Sequence, residues 1–498
     1  MAFENSQAFG FESKQLVSTN QFESTCRLEV NSDKPIKRVV CVYALAKLVS
    51  SEKVDGGINF SGRTAYQVVY QTEEGALASA ISYVDWQDKI ASFSYDNFYI
   101  YPKAVENTVT GFSANEVAIS TLMNIEVYSV VTEKVAGVEG LTEDYVCEEK
   151  NYEYNRAVNT ISENFNEVVE QEISTKLDDI LYYTGSVKLN SVTPGIDTIT
   201  LEGEVNVLTY ALENNNVTLI NKTIDFKQEI ASLSTAVNNI VDAFVDLAEL
   251  KVSLSVSDID QKSSLIYSVE LSAYCSVFSK ESITVVEDAF SVKKETLSNR
   301  EGLVKTSFVN CGNFTDSVSG GFEVDKEVNE LLFISSASGT ITDIIPNEQG
   351  VTLNGAVQVT AVCESESKEA VLLSGMIPFT ITVADANIDD VFNTKVKINS
   401  SKLRGQKEIE IIAEVFVEYK KYNKEFVSFI SSIEEIGDRP ETAAGIRVYI
   451  VREGESLFGV AKTMSVRPEE ILKQNPNIQG ELTDGTRLIV YTPLDINF

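Results

Sequence analysis

One strand pattern occurs three times in this chain, and it constrains the fold more than any other feature. The three copies start at Gly62 (GRTAYQVVYQTEEGALASAISYVDW), Gly203 (GEVNVLTYALENNNVTLINKTIDF) and Gly355 (GAVQVTAVCESESKEAVLLSGMIPF). Each copy begins with a glycine and an alternating strand: Thr64/Tyr66/Val68, Val205/Val207 or Val357/Val359. A polar turn follows, at Glu73-Glu74-Gly75, Asn214-Asn215-Asn216 or Glu364-Ser365-Glu366. A second strand then reaches an aromatic residue, Trp86, Phe226 or Phe379, at intervals of 24, 23 and 24 residues from the glycine. Period-two alternation on both sides of a polar turn predicts a β-hairpin. The match extends upstream into a further strand and downstream into alternating segments such as TLMNIEVYSVV, LIYSVELSAYCSVF and IEIIAEVFVEY. The glycines lie 141 and 152 residues apart, enough for each unit to carry its own core. The expected fold is therefore mainly β, with three tandem antiparallel, sandwich-like β domains and a small βααβ domain at the end.

The expected boundaries are a leader over 1–15, repeats over 16–155, 156–300 and 301–438, a linker over 439–446 and a terminal domain over 447–493. The repeated glycine reads as a bulge or a close backbone approach. The repeated aromatic sits on the inward alternation of its strand and reads as core.

Composition excludes several chemistries. The chain has no histidine, so histidine-based triads, histidine-ligated metals and histidine acid–base catalysis are ruled out. Its six cysteines, Cys26, Cys41, Cys147, Cys275, Cys311 and Cys363, form no CxxC pair and read as buried free thiols. Asp258 and Asp260 are two apart, but beside Gln261, Lys262 and Ser263 they read as a solvated turn. No Walker A loop, GxGxxG, GxSxG or EF-hand loop is present. The expectation is a protein that is not an enzyme and needs no cofactor or metal. Lys and Arg number 41 against 74 Asp and Glu, a net charge of −33. That balance disfavours nucleic acid and anionic membranes as partners. The N-terminal sequence has no basic and apolar signal pattern. The most apolar stretch, Val39 to Val49, is interrupted by Lys47 and is too short to span a bilayer. A cytoplasmic location with no transmembrane segment is expected.

Residues 447–498 carry six basic and seven acidic side chains, so nearly all the negative charge belongs to the repeats. A strand over 448–451 leads to Ser456, a good N-cap for a helix from Leu457 to Thr463. Leu457, Val460 and Ala461 share one helical face. Pro468, Glu469 and Glu470 start a second helix. Asn475-Pro476-Asn477 stops it, and a strand over 487–491 closes the unit.

This tail resembles the LysM family. The resemblance rests on Tyr449, Val451, Gly454, Glu455, Ser456, Leu457, Phe458, Val460, Ala461, Val466, Glu470, Ile471, Asn475, Pro476, Asn477, Gly485, Leu488 and Val490. Phe458 departs from the frequent tryptophan. The resemblance implies a shallow groove for N-acetylglucosamine glycans or for a protein. Its walls would be Gly454, Glu455, Ser456, Leu457 and Phe458 on one side and Asn475, Pro476, Asn477 and Ile478 on the other. Ser456 and Asn475 have a second reading as plain helix caps.

Three β repeats followed by one such tail are similar to SipL-type spore coat morphogenetic proteins, whose repeats are called SPOCS domains. A further family-like element is a turn read at Asp144-Tyr145-Val146-Cys147 and Asp288-Ala289-Phe290-Ser291, replaced by Ser428-Phe429-Ile430-Ser431 in the third repeat. The resemblance implies a scaffold in the mother-cell cytoplasm that acts at the forespore surface. Its LysM domain would recruit a SpoIVA-like coat base-layer ATPase, and its acidic repeats would receive other coat proteins. The alternative is a peptidoglycan-binding protein of the cell wall.

Overall fold

Alternating apolar residues recur along almost the whole chain, and the backbone follows them into strands. The structure is a computed structural model that describes residues 2–3, 6–138, 141–214, 216–256, 262–439, 445–478 and 481–492. The expected leader is not separate, because strand β2 already begins at Ser6. Strand β1 (Ala2–Phe3) pairs with Glu434 and Ile433 in the third repeat's sheet, and β2 (Ser6–Glu29), β3 (Ile36–Val54), β4 (Gly57–Thr72), β5 (Leu77–Ala91), β6 (Phe98–Phe112) and β7 (Glu116–Val138) cover the first repeat. The second repeat comprises β8 (Tyr145–Ile173), β9 (Asp179–Pro194), β10 (Thr198–Glu213), β11 (Asn216–Ala231), β12 (Ile240–Val256) and β13 (Ser263–Ser291). The third comprises β14 (Lys294–Glu323), β15 (Val328–Asn347), β16 (Gly350–Ser365), β17 (Ala370–Ala384), β18 (Val391–Arg404) and β19 (Glu408–Asp438). The expected boundaries at 155 and 300 fall inside β8 and β14; strand continuity moves them to the ends of β7 and β13. Asp258, Asp260 and Gln261 lie outside the described residues, as does most of the expected linker, residues 440–444.

Each repeat is built the same way. A three-stranded antiparallel meander (β3-β4-β5, β9-β10-β11 or β15-β16-β17) faces a second antiparallel sheet (β2-β7-β6, β8-β13-β12 or β14-β19-β18). In β7 the inward positions Val117, Ile119, Met123, Ile125 and Val127 are all buried, as the period-two pattern requires. From the facing meander, Ile58, Phe60 and Trp86 meet Met123, Ile125 and Val127, while Tyr66, Val68 and Tyr70 meet Val117 and Ile119.

The repeated glycine combines both of the expected roles. Gly62, Gly203 and Gly355 lie directly opposite Trp86, Phe226 and Phe379 on the neighbouring strand. A β-bulge interrupts the other pairing of the same strand at the same step in each repeat. A Cβ on Gly203 would stand 2.3 Å from the Lys188 carbonyl oxygen and 2.5 Å from the Phe226 ring. The ring lies across the bare backbone, so glycine and aromatic act as one unit. The aromatics are nearly fully buried.

The long first and last strands of each repeat run beyond their sheets as ribbons, pairing β2 with β7, β8 with β13 and β14 with β19, and the third ribbon gains β1 on its β19 edge. The three ribbons share a core of Phe11, Tyr152, Val285, Val427 and Phe429. Nearer their ends Val138, Tyr145, Ala289, Ile430 and Ile433 form a second shared core. These ribbons are called the stalk below.

The repeats also join at their sheets. In β13, alternating burial gives way to unbroken burial around Tyr274 and Cys275. There the outer face of the sheet meets Tyr99 and Tyr101 of the first repeat, at ring separations of 5.0 and 5.7 Å. Tyr182 donates to the Ser335 carbonyl at 2.6 Å and packs at a tilt against Phe333, linking repeats two and three. Gln71 donates to the Lys368 carbonyl at 2.8 Å, linking repeats one and three. Lys47 reaches Glu249 at 2.5 Å and Glu270 at 2.7 Å, linking repeats one and two.

One charged cluster draws on all three repeats. Asp242 on β12 is fully buried and is flanked by Lys14 of β2 and by Lys420 of β19, the latter at 2.5 Å. Burial opposes its charge, but the two ammonium groups outweigh this and hold its pKa below the usual carboxylate value. Burial dominates at Lys14 and lowers its pKa to about 8. At Lys420 burial is outweighed by the Asp242 carboxylate, and the pKa is raised.

Of the cysteines, Cys26, Cys275 and Cys363 are buried, Cys41 and Cys147 are half-buried, and all six are free. Cys311 is exposed, against expectation. Among the described residues no helix is long and apolar enough to cross a membrane.

Candidate functional site

The tail carries the motif that pointed most sharply to binding. Its elements are β20 (Gly445–Ile450), α1 (Leu457–Met464), α2 (Pro468–Gln474) and β21 (Arg487–Thr492). The strands pair antiparallel, with Ile446 opposite Tyr491 and Val448 opposite Ile489. Ser456 caps α1 by accepting from the Gly459 amide at 3.0 Å. Pro468 takes the first position of α2, with Glu469 and Glu470 in its first turn. Val451, Val460, Ala461, Met464, Ile471, Leu488 and Val490 form the core.

The expected groove residues divide into three groups. Gly454, Pro476 and Asn477 are exposed. Gly454 has φ +79°, a left-handed conformation that glycine adopts without strain. Leu457 and Ile478, one from each loop, are half-buried against the same apolar cluster. The remaining residues are structurally engaged. Glu455 accepts from the Arg452 amide and from the Tyr449 hydroxyl, each at 2.8 Å. Those two bonds hold its carboxyl below the usual range. Asn475 donates to the Ile471 and Ile489 carbonyls at 2.7 Å and accepts from the Ile489 amide at 2.8 Å. Its carboxamide is therefore fully used in tying α2 to β21, which bears on its second reading as a structural residue.

Phe458 has a role the sequence did not suggest. Its ring packs edge-on against Phe290 of the stalk at 5.4 Å. Val146, Phe290 and Val292 join the tail's own core through this contact. Beside it Lys462 of α1 reaches both Asp288 oxygens, at 2.6 and 2.7 Å, and Arg300 approaches Asp288 at 3.0 Å. Arg439 donates to Ser465, and Arg467 donates to the Glu143 carbonyl. The tail is thus latched onto the second and third ribbons.

This latch corrects the reading of the two Asp-containing elements. Asp144 does lie in a turn, but Asp288 to Ser291 lies within β13. The two elements are not equivalent ends of successive repeats. They face each other across one ribbon, with Val146 opposite Phe290 and Glu148 opposite Asp288. Sequence reasoning singled out Asp288 and Phe290 but gave them no partner. The signal was a charged residue and an aromatic two apart on a strand, whose partners lie about 170 residues further on.

Replacing Asp288 by alanine leaves Lys462 and Arg300 facing each other without the shared carboxylate. Undocking should become easier by about 1.5–3 kcal/mol. Amide exchange in α1 should then rise by at least tenfold while exchange in the repeats stays unchanged. Unchanged protection in α1 would show that the apolar contact alone holds the tail.

Three cavities open between the second and third repeats, of about 300, 320 and 340 Å³. The first is walled by Asn206, Ser335, Ser336 and Thr394 and includes Asp246, whose carboxylate accepts from Tyr101. Lys395 and Lys397 line it as well and pair with Glu418 and Glu414. Among the described residues, no group of three or more Cys, Asp or Glu side chains is placed to hold a metal ion. No family model, curated protein or solved structure matches the chain.

Proposed function

We propose that the protein is a non-enzymatic scaffold of spore envelope assembly, with three SPOCS-type β domains carrying a LysM-type βααβ module. In this reading it belongs with the SipL-type coat morphogenetic proteins. The module recruits a SpoIVA-like coat base-layer ATPase to the forespore surface from the mother-cell cytoplasm, and the acidic repeats receive further coat proteins. The observation that carries the reading is the tail. Its order of strand, capped helix, Pro-initiated helix and strand accompanies the motif residues, and its two loops bring Leu457 and Ile478 to one cluster beside the exposed Pro476 and Asn477. The fused repeats and the latch support a scaffolding role, because they hold the module on a broad platform.

A fluorescent fusion of the full chain, expressed in a spore-forming bacterium, tests this. The fusion should gather at the forespore surface and disperse when the ATPase is deleted. The Leu457→Asp variant should disperse even with the ATPase present. Uniform fluorescence of the unmodified fusion, or unchanged gathering without the ATPase, would overturn the reading.

A further inference from the structure

The two edges of the tail's small sheet are treated differently. The β21 edge is closed by side chains. Asn475 bonds both the amide and the carbonyl of Ile489, and Gln474 does the same for Tyr491, at 2.5 and 3.2 Å. Two successive carboxamides thereby imitate a neighbouring strand.

Those bonds also fix which groups the other edge presents. In an antiparallel pair, opposed residues alternate between exchanging both hydrogen bonds and turning both away. Ile489 and Tyr491 turn away from β20, so their opposites Val448 and Ile446 turn away from β21. Val451 bonds the Thr486 carbonyl at 2.9 Å, which places its neighbour Ile450 in the outward set too. Among the described residues β20 pairs only with β21, and no partner meets the outward amides and carbonyls of Ile446, Val448 and Ile450. The same three side chains are 70, 60 and 58 % exposed and form an apolar stripe with Ile489 and Tyr491. A row of unpaired backbone groups beside an apolar stripe is the surface that strand addition uses.

We propose that the free edge of β20 takes a third strand: an extended segment of another protein, apolar at alternate residues and without net negative charge. Size and charge select this occupant over a second copy of the chain. A six-residue edge about 20 Å long accommodates one added strand and supplies only a small part of the roughly 800 Å² per partner of a stable globular interface. Two whole chains of charge −33 also repel through their acidic repeats, although the tail itself is close to neutral. The same field attracts a basic peptide and does not repel a neutral one. The surface is separate from the two loops of the candidate groove, so the proposal stands independently of the function proposed above.

The probe is a fluorescein-labelled peptide of about ten residues alternating valine with threonine or lysine, added to the full chain. Anisotropy should rise saturably, and a same-composition peptide with its valines clustered should bind at least tenfold more weakly. Val448→Pro removes an outward amide that the β20–β21 ladder does not use, and proline is tolerated on edge strands. It should weaken binding by tenfold or more. Amide exchange on the unmodified chain gives a readout that needs no variant: residues 446–450 should gain protection when the peptide binds. Absence of saturable binding, binding indifferent to Val448→Pro, or protection confined to other segments would overturn the proposal. So would sedimentation showing a dimer that Val448→Pro dissociates, because the occupant would then be a second copy.

Discussion

Asp242→Asn is expected to destabilise the joined repeats by about 3–5 kcal/mol, the range for breaking a buried ion pair from one side. The carboxylate is fully buried and is shared by Lys14 and Lys420, so its loss strands two ammonium groups from two other repeats. Lys14→Met should behave very differently. The cluster as it stands holds one negative and two positive groups, and removing Lys14 leaves a balanced Asp242–Lys420 pair. That variant should lie within about 1 kcal/mol of the unmodified protein or be more stable. Urea titration of the three proteins separates these outcomes; equal losses in both variants would refute the charge argument.

The same cluster sets a pH dependence in two windows. The pKa of Asp242 is lower in the folded state, so its contribution is present above the unfolded value of about 3.9 and is lost as pH falls through the folded value. The pKa of Lys14 falls from 10.5 to about 8 on folding. Between those values the unfolded chain binds more protons, so stability should rise with pH across that window. The rise should vanish in Lys14→Met. If it persists there, Lys14 is not its source.

The second large effect concerns the repeated glycine and its aromatic partner. Gly203→Ala should cost about 1–3 kcal/mol, because the new Cβ meets both the Lys188 carbonyl and the Phe226 ring. Phe226→Ala should cost about 3–5 kcal/mol through lost burial and a cavity. The double variant should cost clearly less than the sum, since part of the first cost is the clash with the ring. Thermal melts of the four proteins complete the cycle. Strict additivity would mean that the ring does not rest on the glycine.

That pair also shows what the sequence made legible. Gly62, Gly203 and Gly355 stand at near-constant distance from Trp86, Phe226 and Phe379 because each pair is a direct cross-strand contact within one hairpin. Local pairing leaves a fixed spacing behind, so the hairpins, both helices and the Ser456 cap could be read in advance. The joining of the repeats leaves no such trace. Lys14, Asp242 and Lys420 are separated by more than 170 residues at each step, and nothing local to any of them announces the others. The ribbons were hidden for a related reason: a strand that leaves one sheet and enters the stalk keeps the same alternation throughout. The division at 155 therefore cut β8 in the middle. In the tail, the motif placed the two loops, but Phe458 and Asn475 turned out to be committed to Phe290 and to β21. A motif specifies which residues fold the module and is silent on the surface against which the module rests.

The most direct test of the scaffold account is a binding titration of the purified full chain. A SpoIVA-like ATPase and purified peptidoglycan are offered in parallel, with the Asn477→Arg variant as control, since Asn477 is exposed and its replacement leaves the core intact. The account predicts saturable binding to the ATPase, weakened at least tenfold by Asn477→Arg, and little sedimentation with peptidoglycan. Binding to peptidoglycan without binding to the ATPase would contradict it and would assign the protein to the cell wall.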